Sequence, residues 1–93
     1  MIKLTKSSGN VFKDLGFRPE EAEVMRLRSA LIAELRRHVR EHYDTQAQAA
    51  IDLKMTPARV SALMSGKFAD FRIDNLVQLA IRAGLSVRLK IAA

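Results

Sequence analysis

Ninety-three residues, 48% hydrophobic and 28% charged, suit one small folded domain, and with no cysteine there is neither a disulfide nor a thiolate-bound zinc. A formal charge of +6 at pH 7 favours a polyanionic partner, nucleic acid or an anionic membrane surface. No apolar run approaches the ~20 residues that would span a bilayer.

The first ten residues lack the apolar core and cleavage pattern of a signal peptide, so a cytoplasmic protein is expected. Ile2 and Leu4 alternate with Lys3 and Thr5, a strand signal. Ser7-Ser8-Gly9-Asn10 is a turn cluster, and residues 11–17 are an apolar patch interrupted by Gly16. Pro19 opens a long helix, with Glu20, Glu21 and Glu23 at its positive end. Val24, Leu27, Leu31, Leu35 and Val39 recur at three- and four-residue spacing and predict one core-facing stripe. Arg36, Arg37 and Arg40 fall near the far end, where cations are favoured, and the helix should stop around residues 42–44.

A short helix is predicted over residues 46–53, capped by Asp44 or Thr45. After the break at Lys54-Met55, Thr56-Pro57 is an N-cap followed by proline at the first helical position. That third helix should end near Ser65, with Gly66 as its left-handed terminator. A fourth helix is predicted over residues 74–83, with Leu76, Leu79 and Ala80 inward and Gly84 as its stop. Leu85, Val87, Leu89 and Ile91 then alternate with Ser86, Arg88 and Lys90, the period of a strand. One strand is not stable alone, so it needs a partner: residues 1–5, or the same strand of a second subunit. No internal repeat or low-complexity segment is present.

The charge is unevenly placed. Residues 54–93 hold seven basic and two acidic side chains, whereas residues 19–53 hold five basic and seven acidic ones. The positive field therefore coincides with the second of the two short helices and the segments after it. Two helices of about eight residues joined by a tight break make a helix-turn-helix, in which the second helix enters the major groove of DNA. Such helices must cross closely, a requirement that Ala47, Ala49 and Ala50 meet, while Val60, Leu63 and Leu53 supply the apolar contact that holds the pair.

Residues 45–50 (Thr45-Gln46-Ala47-Gln48-Ala49-Ala50), 60–63 (Val60-Ser61-Ala62-Leu63) and 65–67 (Ser65-Gly66-Lys67) resemble, without a gap, the motif of phage-repressor-like regulators, the XRE or Cro/C1-type family. The lead-in Ser7-Ser8-Gly9-Asn10-Val11-Phe12 with Asp14-Leu15-Gly16-Phe17 is similar to that of HigA-like antitoxins. Phe71-Arg72-Ile73-Asp74-Asn75-Leu76 and the final strand fit the same branch. The resemblance implies a mainly α fold, a lambda-repressor-like helix-turn-helix bundle of four to five helices with a C-terminal β-strand. It divides the chain into a lead-in (1–18), the helix-turn-helix domain (19–84) and a strand that could dimerise (85–93).

By the same resemblance the reading head is residues 45–67. Gln46, beside Thr45, would hold a phosphate. Pro57, Ala58 and Arg59 would face base edges, with Ala62 one turn on and Ser61 beside it, and Lys67 would lie near the backbone. Arg59 is the one long donor, suited to bidentate pairing with guanine, and a solvated surface arginine is its plain alternative. Thr56 is a helix cap first and a phosphate contact second. Two departures stand out: Lys54 occupies the turn position where the family prefers glycine, which implies strain, and Pro57 and Ala58 replace polar readers.

His38 and His42 have the spacing of a metal pair, but no third ligand accompanies them and surface histidines are the simpler reading. The glycine-bearing turns lack the spacing of a phosphate loop, the methionines suit core filling, and no nucleophile–base set is present, so neither an enzyme nor a cofactor is expected. The expected function is a dimeric repressor of an inverted-repeat operator, and by resemblance the antitoxin of a RelE-like toxin. A phage- or plasmid-type regulator without a toxin, and an interaction module that does not bind DNA, are the alternatives.

Overall fold

The computed structural model describes residues 2–5, 12 and 15–92. The turn cluster expected at residues 7–10 and most of the apolar patch after it lie outside them. In chain order the elements are β1 (Ile2–Thr5), α1 (Pro19–His42), α2 (Gln46–Asp52), α3 (Pro57–Met64), a short 3-10 turn (Phe68–Asp70), α4 (Ile73–Arg82) and β2 (Val87–Lys90). The fold is mainly α, four α-helices among the described residues with a C-terminal strand, as the sequence pattern predicts. No helix among the described residues is long and apolar enough to cross a membrane.

Pro19 sits in the first turn of α1, where its missing N–H costs nothing, with Glu20 and Glu21 beside it. Leu31, Leu35 and Val39 are buried as the stripe predicts, joined by Ile32 and Ala22, but Val24 is 39% exposed. The apolar period runs past the end of the core, and a residue with core spacing is left exposed at Val24. Leu31, Leu35, Leu53, Val60, Leu63, Phe71 and Leu76 are the largest fully buried side chains, and they join α1, the two short helices and α4 into one core.

α1 packs along α4, and α2 packs against α3. Ala49 and Ala50 are buried at that crossing, but Ala47 is exposed. The close approach therefore needs two of the three alanines, since Ala47 is on the outer side of α2.

β1 pairs in parallel with β2, Ile2 opposite Val87 and Thr5 opposite Lys90. A parallel pair requires a long crossover, and here the whole helical domain is that connection. Of the two partners open to the final strand, the structure uses residues 2–5 of the same chain. Leu85 and Val87 pack against the helical core, which anchors β2 to it.

Candidate nucleic-acid interface

Each end of the two short helices is set by local chemistry. Thr45 caps α2: its hydroxyl oxygen accepts from the Gln48 N–H at 3.2 Å, and the Gln48 side chain accepts from the Asp44 N–H at 3.1 Å. Thr56 caps α3 in the same way, accepting from the Arg59 N–H at 3.2 Å, with Pro57 as the first helical residue. Both caps hold one of the N–H groups that a helix start leaves without a partner.

The turn between the helices is a Schellman motif. The Lys54 N–H donates to Ile51 O at 3.3 Å and the Met55 N–H to Ala50 O at 2.8 Å, which places Lys54 in the left-handed region at φ 55°. This is the strained conformation that the sequence implies at that position. α3 ends with the same two bonds, from Gly66 to Leu63 O and from Lys67 to Ala62 O, and there glycine takes the left-handed position at φ 73°. The Arg36 guanidinium lies against Gly66, so that a Cβ added there would stand 3.2 Å from Arg36 Nη1. That cation is well placed at the negative end of the α3 dipole.

Val60 and Leu63 are completely buried and fix the rotation of α3. At about 100° per residue, the opposite face carries Ala58, Ser61, Ala62 and Ser65. Ala58, Ser61 and Ser65 are exposed and Ala62 is half-buried. Pro57 is exposed on the flank, and Thr45, Gln46, Thr56 and Lys67 are all exposed around the two helices. The outward face of α3 is thus a patch of alanine and serine, over which a ligand can approach the helix backbone closely.

Ser65 belongs to this face although sequence reasoning treats it only as the helix end. The signal was available, because it is four residues beyond Ser61; its hydroxyl donates to Ser61 O at 2.8 Å. Arg59, the one long side chain among the expected readers, lies elsewhere. Its guanidinium carbon is 4.5 Å from the centroid of the buried Phe71 ring, a cation–π contact on the flank toward α4. Asp70 ends the short turn that precedes Phe71, and neither that turn nor the pairing of Phe71 with Arg59 is evident in the local pattern.

The C-terminal ends of α1, α2 and α4 are tied together nearby. The Tyr43 hydroxyl donates to the Asp52 carboxylate, and this bond is the main cause that raises the Tyr43 pKa to about 12. Arg82 Nη1 donates to Leu53 O at 3.3 Å, taking up a carbonyl at the end of α2. The His38 and His42 rings stack with centroids 4.1 Å apart, and burial followed by the charge of His42 lowers the His38 pKa.

No curated protein and no solved structure matches the chain. A family model described as a helix-turn-helix domain matches residues 11–92, a span that holds the four described helices, both caps and the strained turn, and the chain belongs to that helix-turn-helix DNA-binding family.

Proposed function

We propose that this protein is a sequence-specific transcriptional repressor that binds an inverted-repeat operator in its own promoter as a homodimer, and that it is the antitoxin of a RelE-like toxin. The observation that carries the DNA reading is the outward face of α3. A helix fixed by two buried residues, capped at its start by Thr56 and carrying Ala58, Ser61, Ala62 and Ser65 on the face opposite them, suits close entry into a major groove. Gln46 and Lys67, exposed at either side, suit phosphate contacts that set the register. Ala58 and Ala62 would meet thymine methyl groups, the serines could bond a base edge, and DNA shape would contribute to the choice of site.

Dimerisation is proposed through β2 and the residues after it, where Leu89 is 62% and Ile91 85% exposed. The antitoxin role rests on the resemblance of the lead-in and the C-terminal segments to HigA-like proteins.

Gel-shift measurements with the upstream region of the protein's own gene, at two salt concentrations, test the DNA reading. Binding should fall steeply with salt, and Lys67→Ala should weaken every duplex alike while reducing the slope of log K against log salt by about 0.9. Absence of any salt-sensitive binding would overturn it and leave a protein-interaction module. Co-expression with a neighbouring reading frame of similar size tests the antitoxin role. Relief of that product's toxicity supports it, and failure to relieve it leaves a phage- or plasmid-type repressor.

A further inference from the structure

Between the helix-turn-helix turn and α4 lies a cleft whose polar lining is Lys54, Thr56, Arg59, Asn75, Gln78 and Arg82. These are three cations, two amides and a hydroxyl, and no carboxylate lines the cleft. The ion pairs among the described residues join Arg18 to Glu21, Arg26 to Glu23, Arg37 to Glu34 and Arg72 to Asp74, so none neutralises a cation of this cleft. Arg82 uses one donor on Leu53 O and keeps the rest of its fork. The Arg59 guanidinium lies over the Phe71 ring. Thr56 accepts from the Arg59 N–H and retains its own hydrogen to donate. The side-chain amides of Asn75 and Gln78 make no hydrogen bond among the described residues.

Three cations line this cleft with no carboxylate among the lining residues. The lysine is also held in left-handed backbone. Three helices of this fold end in the same pair of hydrogen bonds, α2 at Lys54, α3 at Gly66 and α4 at Gly84, and only the one bordering the cleft lacks glycine. Strain of this kind persists where the strained residue has work to do. Holding an anion would be such work for a lysine at this position.

The geometry points to a phosphate-binding site in this cleft. Two guanidinium forks and one ammonium match a tetrahedral oxyanion, and the amides and the Thr56 hydroxyl supply further donors. The phosphate comes either from the DNA backbone beside α3 or from a free phosphorylated molecule. In the first case α4 is a third DNA-contacting element, and Arg59 grips the backbone instead of reading a base.

Lys54→Gly separates binding from folding, because glycine suits φ 55°: the variant should melt at a higher temperature than the parent while losing a charge from the site. The full chain is titrated with inorganic phosphate at constant ionic strength, followed by amide NMR. The amides of Lys54, Arg59, Asn75 and Gln78 should shift together and saturate, and Lys54→Gly and Arg82→Gln should each bind at least tenfold more weakly. In parallel, duplex binding is measured against salt for the parent, Lys54→Gly and Arg59→Ala. The DNA arm rests on the function proposed above; the phosphate titration does not. Saturable shifts with an unchanged salt slope assign the site to a free phosphate. A slope lowered by about 0.9 in Lys54→Gly, with Arg59→Ala weakening all duplexes alike, assigns it to the DNA backbone. Shifts spread evenly over the surface lysines, with unchanged duplex binding in all variants, overturn the site. If the parent binds no duplex at all, the proposed function fails while the titration still decides the site.

Discussion

Thr56 has one hydroxyl acceptor and one N–H to satisfy, and the start of α3 depends on that bond. Replacing it with alanine should cost about 1 kcal/mol of stability, seen as a lower midpoint in urea, and Thr56→Ser should restore most of it. His38 carries a different kind of information. Its pKa is lowered first by burial and then by the positive charge of His42, with Glu41 and Asp52 opposing. The unfolded chain therefore binds the proton more readily than the folded one. The associated stability is complete above the ordinary value of 6.5 and falls as the pH drops through the lowered one. Thermal melts taken from above pH 6.5 into the acid range should show the loss, and His38→Gln should flatten it. At this scale the sequence was legible where a residue acts on its own backbone. Thr45, Thr56 and Gly66 do what their types and spacing predict, and Lys54 takes the left-handed place that the resemblance to the motif implies. Arg59 was not legible, because the resting place of a long side chain depends on a ring supplied by another part of the fold.

The elements followed from period and caps, and the boundaries of α2, α3 and α4 came within a residue or so. What the period could not tell was how far each helix is covered. Val24 keeps the spacing of the core but lies beyond it, and Ala47 is small without being at the crossing. The short turn at Phe68–Asp70 has no periodic signature at all, yet it delivers Phe71 to the centre of the core. The α2–α3 crossing gives a direct check on this account. Ala49 is completely buried there, so Ala49→Leu overpacks the contact and should cost about 1–3 kcal/mol in chemical denaturation. Ala47→Leu, on the exposed side of the same helix, should leave the denaturation midpoint nearly unchanged. Equal losses from the two would mean that the helices cross on a different face.

At the scale of the whole molecule, the remaining question is what completes the sheet. A two-stranded sheet is marginal in water, and Leu89 of β2 and Ile91 just after it are exposed beside Leu27 of α1. An inverted-repeat operator requires two reading helices about 34 Å apart, which a two-fold dimer provides. If β2 and its neighbours make that dimer, the melting temperature should rise with protein concentration, since dissociation then accompanies unfolding. Leu89→Asp would place a charge in the interface. The variant should sediment as a monomer, keep its helical spectrum and lose the concentration dependence. It should also bind a duplex with both half-sites no better than one with a single half-site, whereas the parent should prefer the double site at least tenfold. A Leu89→Asp protein that remains dimeric and keeps that preference would move the dimer contact away from the strand, leaving the reading face of α3 untouched.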